Sequence, residues 1–191
     1  MVTKYILHGG NTAEKSEDNK RFFREIVKDL KNQANVLIVY FARNKKEWPK
    51  LFRQDIRCFR SFGRRKDIDL VLAKKNIRYL IGQIKDAGAI YMRGGKTFRI
   101  KEVLQKVKNL RQLFQGKVVA GSSAGAYVLA KYYINSGGQL GEGLDILPIK
   151  IIAHYNTADQ KRLLEKLKNY REPLKTYTIA EHKFVVLKRR Q

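Results

Sequence analysis

The sequence predicts an α/β fold in three layers, a mostly parallel sheet flanked by helices. Two observations carry this. Apolar runs alternate with segments of helical period from one end of the chain to the other, the pattern of strands joined by helical crossovers. Four of the runs also end on loops rich in glycine, serine or histidine: Gly9-Gly10, Gly94-Gly95, Gly121–Gly125 and the segment at His154. In an open parallel sheet the carboxyl ends of the strands form one rim, where ligands bind.

Lys4–His8 is the first strand. The helix after Ser16 repeats Phe22, Phe23, Ile26, Val27 and Leu30 on one face. Val36–Phe41 is an unbroken apolar run, the second strand. A mixed segment holding Trp48-Pro49 follows, with the stripe Leu51, Phe52, Ile56 and Phe59. Ile68–Ala73 is the third strand, Ile77–Lys85 a helix, and Ala89–Met92 a short strand leading into Arg93-Gly94-Gly95-Lys96-Thr97. One helix is predicted over about Phe98–Phe114, then a strand at Lys117–Ala120, a tight turn, and a helix from near Ala126. Ile149–Ala153 is a strand ending at His154, Asp159–Tyr170 a charged helix. The closing strands Thr176–Ala180 and Phe184–Leu187 are joined by Glu181-His182-Lys183. With no repeat or linker, residues 1–191 read as one domain.

Composition narrows the class. The hydrophobic fraction of 43% excludes wholesale disorder, and no apolar stretch approaches the ~18–20 residues that cross a bilayer. Cys58 is the only cysteine, so no internal disulfide forms, which fits a reducing compartment. The opening apolar run is too short for a signal peptide, and the predicted location is cytoplasmic, away from membranes. The 41 Lys+Arg against 17 Asp+Glu give +24, a field that attracts phosphates and acidic peptides. The tight basic runs Arg64-Arg65-Lys66 and Lys188-Arg189-Arg190 are brief and lack interleaved aromatics. Nucleic acid is therefore a possible partner but not the favoured one.

The strongest motif is Gly121-Ser122-Ser123-Ala124-Gly125. It matches G-x-S-x-G between an apolar strand and a helical pattern, the context of a nucleophile elbow. Such a bend thrusts the serine hydroxyl toward substrate, and the N–H of the next residue, Ala124, faces the developing oxyanion. A serine needs a base. His154, at a strand end, is the chosen one; His182, in a late turn beside Glu181, is the alternative.

The elbow, the earlier Gly94-Gly95-Lys96-Thr97-Phe98 and the later Leu147-Pro148 with His154-Tyr155, in this order, resemble the dipeptidase E and cyanophycinase family of serine peptidases. Gly9-Gly10 matches that family's opening glycine loop. The resemblance implies a class I glutamine amidotransferase-like (flavodoxin-like) fold, Ser123 as nucleophile, His154 as base, and an oxyanion hole shared by Ala124 and the Gly94-Gly95 loop. It also implies small Asp-containing peptides as substrates and no metal or organic cofactor. Two departures stand out. Lys96 replaces the family's usual asparagine, and with Arg93 it flanks the glycines as a candidate substrate contact. The stretch where the family's triad acid is expected holds no acid until Glu142, then Asp145; Glu142 in Gly141-Glu142-Gly143 is the chosen third member. The expected enzyme is a serine peptidase, monomeric or homodimeric. The alternatives are an esterase or amidase with the same chemistry, and an inactive scaffold whose basic surface binds a polyanion.

Overall fold

Even-numbered side chains of the first strand, β1 (Val2–His8), point to one helical layer and odd-numbered ones to another. Lys4 reaches Glu25 and Asp29, and the His8 ring packs 4.4 Å from Phe22, all on or just after α1 (Glu17–Val27). Thr3 instead donates to the carbonyl of Phe114, on the far side of the sheet. These contacts come from a computed structural model that describes residues 1–63, 65, 67–156 and 160–190. Arg64 and Lys66 of the basic run, and Asp159 at the expected start of the charged helix, lie outside the described residues.

Next come β2 (Asn35–Val39), α2 (Trp48–Cys58), β3 (Asp69–Leu72), α3 (Ile77–Asp86), β4 (Ala87–Met92), α4 (Thr97–Leu104), α5 (Leu110–Leu113) and β5 (Val118–Ser122). The chain ends with α6 (Ala124–Leu129), β6 (Ala130–Ile134), β7 (Leu140–Glu142), β8 (Leu147–Ala153), α7 (Lys161–Lys168), β9 (Thr176–Ile179) and β10 (Phe184–Arg190). Six strands pair in the order β10-β1-β5-β4-β2-β3, all parallel except β10 on β1. Four more form a second sheet, β7-β6-β8-β9, parallel except β7 on β6. The architecture is mixed α/β, with mostly parallel sheets flanked by helices.

Three features lie beyond what strand–helix alternation carries. The strands are divided between two sheets, and the two closing strands fall in different ones. β9 belongs to the smaller sheet and β10 to the larger, so the turn at Glu181 steps between them. The long helix after Thr97 breaks into α4 and α5, because Asn109 takes a left-handed conformation (φ 56°) open to asparagine at low cost. The helix after the elbow is only six residues long. Ala130, Tyr132 and Ile134 are buried alternately with Lys131 and Tyr133, a period of two that makes β6 a strand.

One apolar core runs through both sheets. It joins Tyr5, Ile6 and Leu7 of β1 and Phe22, Phe23 and Ile26 of α1 to Ile149, Ile151 and Ala153 of β8. Helix α1 is fixed at its start by Ser16, whose hydroxyl accepts the Asn19 N–H. Among the described residues, no helix is long and apolar enough to cross a membrane.

Candidate active site

Ser123 occupies the bend between β5 and α6 with φ 49° and ψ −110°, outside the basins open to a non-glycine residue. Such strain persists only where the surroundings impose it. Here the Ser123 carbonyl accepts the N–H groups of Ala126 and Tyr127, both at 2.9 Å, which locks the bend. Ala124, the first residue of α6, has no carbonyl four residues back in its own helix, so its N–H is an orphan donor.

The Ser123 Oγ lies 3.0 Å from His154 Nε2, and His154 Nδ1 lies 2.7 Å from Glu181 Oε1. The network assigns the tautomer: Nδ1–H donates to the carboxylate, leaving Nε2 to accept the serine proton. The hydrogen bond from His154 holds the Glu181 carboxyl below the usual range, aided by the Asn11 amide and the charge of His182. Glu181 is thus kept ionised where it can orient the imidazole and stabilise its protonated form.

Glu142 is not in this set. It sits on β7, the outer strand of the smaller sheet, opposite Tyr132. Its carboxylate pairs with Arg171 at 3.1 Å and its carbonyl takes Lys101 Nζ at 2.7 Å. The Gly141-Glu142-Gly143 segment is drawn into strand pairing rather than reaching for His154. Asp145 is held near Lys131, at 4.0 Å. His182 bonds Glu14 (2.9 Å), not Ser123. The Glu181 position carries the signal used for His154: it follows the carboxyl end of a strand parallel to β8.

Gly94 lies against the nucleophile; a Cβ built on it would stand 3.1 Å from the Ser123 Cβ. Arg43, in the loop after β2, donates through Nε to the Gly94 carbonyl at 2.6 Å. Because the peptide is planar and trans, that grip turns the Gly95 N–H to the opposite side. Gly95 itself has φ 152°, and a Cβ there would come 2.4 Å from the Ala42 carbonyl oxygen, so only glycine fits.

Two cavities meet at Gly95, Ser123 and His154. The smaller, about 140 Å³, is lined by Asn11, Thr12, Arg43 and Arg93 among others. The larger, about 520 Å³, is lined by Lys96, Phe98, Tyr127, Tyr133 and the segment around Asn135. Arg93 is buried and largely committed: it donates to Asp55 (2.8 Å) and Gln54 (2.6 Å), and Tyr40 donates to the other Asp55 oxygen. Arg43 is the less engaged cation, with Glu47 at 3.5 Å. Lys96 faces the larger cavity, away from Arg93's side. Among the described residues, no group of three or more His, Cys, Asp or Glu side chains is placed to hold a metal ion.

The family model of peptidase family S51 matches residues 5–191. The chain belongs to peptidase family S51. As an S51 member it is a serine peptidase by family. Two solved structures share its fold. A peptidase from an acI-B1 Actinobacterium superposes with a TM-score of 0.73 at 20% identity, covering 98% of this S51 chain and 84% of that one. A "Putative Peptidase E Protein" from Listeria monocytogenes EGD-e gives 0.67 at 18% identity, with both chains fully covered. No curated protein sequence matches the S51 chain.

Proposed function

We propose that this S51 chain is an exopeptidase for small peptides carrying an acidic residue on the acyl side of the scissile bond, with Ser123, His154 and Glu181 as its triad. The observation that supports it is the unbroken contact from Ser123 through His154 to Glu181, at 3.0 and 2.7 Å, beside a small cavity with Arg43 on its wall.

The chemistry is acyl transfer. Ser123 Oγ forms a bond to the peptide carbonyl carbon as its proton passes to His154 Nε2. The carbonyl oxygen becomes an oxyanion, held by the N–H groups of Ala124 and Gly95; one such donor is typically worth about 3 kcal/mol. The C–N bond then breaks, the His154 proton leaves with the amine, and an ester on Ser123 remains. Water repeats the sequence from the other side, giving its proton to His154, and the acid product departs with the Ser123 hydroxyl restored. Glu181 carries no proton through these steps; it holds the imidazolium.

The smaller cavity holds roughly the volume of four or five waters, matching one short side chain. A carboxylate of aspartate length placed there meets Arg43, while the larger cavity receives the leaving group beside Lys96, Tyr127 and Tyr133. A fluorophosphonate probe is expected to label the native chain and spare Ser123→Ala. Cleavage of Asp-Xaa dipeptides is expected to exceed that of Ala-Xaa dipeptides and simple esters. Arg43→Ala is expected to lower kcat for acidic and neutral substrates alike, since the Gly94 carbonyl loses its donor, and to raise KM about tenfold for the acidic ones alone. Labelling that persists in Ser123→Ala removes the nucleophile; equal turnover of acidic and neutral peptides removes the substrate class.

A further inference from the structure

Three consecutive carbonyls at the end of β1 carry the backbones of the site. His8 O accepts the Ser123 N–H (2.9 Å), Gly9 O accepts the His154 N–H (2.8 Å), and Gly10 O accepts the N–H of His182 (3.1 Å), the neighbour of Glu181. The fourth residue acts through its side chain: Asn11 Nδ2 donates to Glu181 Oε2 at 2.6 Å, the oxygen that His154 leaves free. The His154 ring rests on the same turn, since a Cβ on Gly10 (φ 130°) would lie 2.0 Å from its Cε1. Segments far apart in sequence are thus all referenced to residues 8–11.

A reference is useful only if it is itself held. The His8 imidazole is buried against Phe22; its Nδ1 accepts the Gly10 N–H at 3.0 Å and its Nε2 donates to Asn19 Oδ1 at 2.9 Å. Asn19, also fully buried, donates through Nδ2 to the carbonyls of Asn11 (2.8 Å) and Glu14 (2.7 Å). The His8 and Asn19 side chains therefore bond the turn and each other, with the Ser122 hydroxyl as a further neighbour of His8 Nδ1 at 3.4 Å, and neither residue lines the cavities at Ser123.

We propose that His8, Asn11 and Asn19 are positioning residues: they clamp the 8–11 turn, which sets the Glu181–His154–Ser123 geometry. This rests on the hydrolytic reading above. The acceptor role of His8 Nδ1 requires a neutral ring, and burial keeps it so by pulling the imidazole down to about 4.

The test compares the native chain with Asn11→Gly, which tolerates the φ of 56° at that position, and His8→Phe, which keeps the ring volume and loses both nitrogens. Three readouts separate positioning from packing: the kcat against KM split on Asp-Xaa dipeptides, the pH–rate profile, and the strongly deshielded proton NMR resonance of a histidine bonded to a carboxylate. Asn11→Gly is expected to lower kcat about tenfold with KM within twofold, although Asn11 also lines the smaller cavity. Its acid limb is expected to move to higher pH, because Glu181 loses a donor that keeps it ionised. The titratable groups facing Glu181 are His154 and His182, the latter paired with Glu14. Both variants are expected to weaken the deshielded resonance with near-ultraviolet circular dichroism unchanged. If His8→Phe does not fold, Asn11→Gly decides alone. Unchanged kcat, pH profile and resonance in a folded Asn11→Gly overturn the proposal, as does an effect confined to KM. The resonance needs no turnover, so it still decides if the native chain proves unreactive toward the probe and the hydrolytic reading fails.

Discussion

Glu181 Oε1 stands 2.7 Å from His154 Nδ1 across 27 residues of chain, in the turn where the polypeptide leaves the smaller sheet for the larger. The contact exists because β9 runs parallel to β8 and both release the chain at the same rim. Its consequences are measurable.

Glu181→Gln removes the charge opposite the imidazole and permits the wrong tautomer. Turnover is expected to fall at least a hundredfold, short of the roughly 10⁴-fold loss seen for a buried triad acid, because Glu181 is partly exposed. Glu142→Gln, which only frees Arg171, is expected to keep kcat/KM within twofold. Steady-state kinetics on both variants check the assignment, and the reverse pattern would overturn it.

Gly95→Ala places a methyl where the Ala42 carbonyl already stands and imposes a φ of 152° on alanine. The loop must shift, carrying the Gly95 N–H away from the nucleophile. A stability loss of about 1–3 kcal/mol is expected from the backbone alone, with kcat falling more than KM rises. Chemical denaturation and kinetics on one preparation read both effects.

Asp55 is the buried counter-ion of Arg93 and the acceptor of the Tyr40 hydroxyl. Asp55→Ala strands a guanidinium that is almost fully buried, with an expected cost of about 3–5 kcal/mol in urea unfolding. A loss below about 1 kcal/mol would mean that Arg93 reaches water in the variant.

His8 ties stability to acidity. Burial lowers its imidazole from 6.5 to about 4, so between those values the unfolded chain binds a proton that the folded chain refuses. The stabilisation is complete above about pH 6.5 and is lost as the pH falls toward 4, amounting to about 3 kcal/mol over the window. Urea midpoints measured from pH 7 to pH 4 are expected to fall in the native chain and to fall less in His8→Phe.

Much of this was legible before the structure. Strand–helix alternation and the Gly121–Gly125 bend placed Ser123 at a strand end, and the same rim rule placed His154; the two side chains are in contact. Glu142 is a candidate because its flanking glycines suggest a loop free to aim it at His154, whereas the pairing of β7 with β6 holds that segment as a strand and leaves the carboxylate on Arg171. Arg43 was missed for a related reason. It follows a buried strand in a segment with no motif, and its tie to the nucleophile's loop is a bond to a carbonyl 51 residues away. Local pattern reports which strand ends exist, but not which side chains meet once two sheets are docked. The break at Asn109 is different in kind: apolar spacing survives a single left-handed residue, so periodicity alone does not register it.

The step from β9 to β10 bears on when the molecule becomes reactive. Synthesis reaches Ser123 and His154 before the turn at 180–183, which is tied to Gly9 and Gly10 through Lys183 and His182 and runs straight into β10 on β1. On the proposed triad, the full hydrolytic rate therefore waits on residues 176–190, among the last of the chain to be made and the ones that seat Glu181.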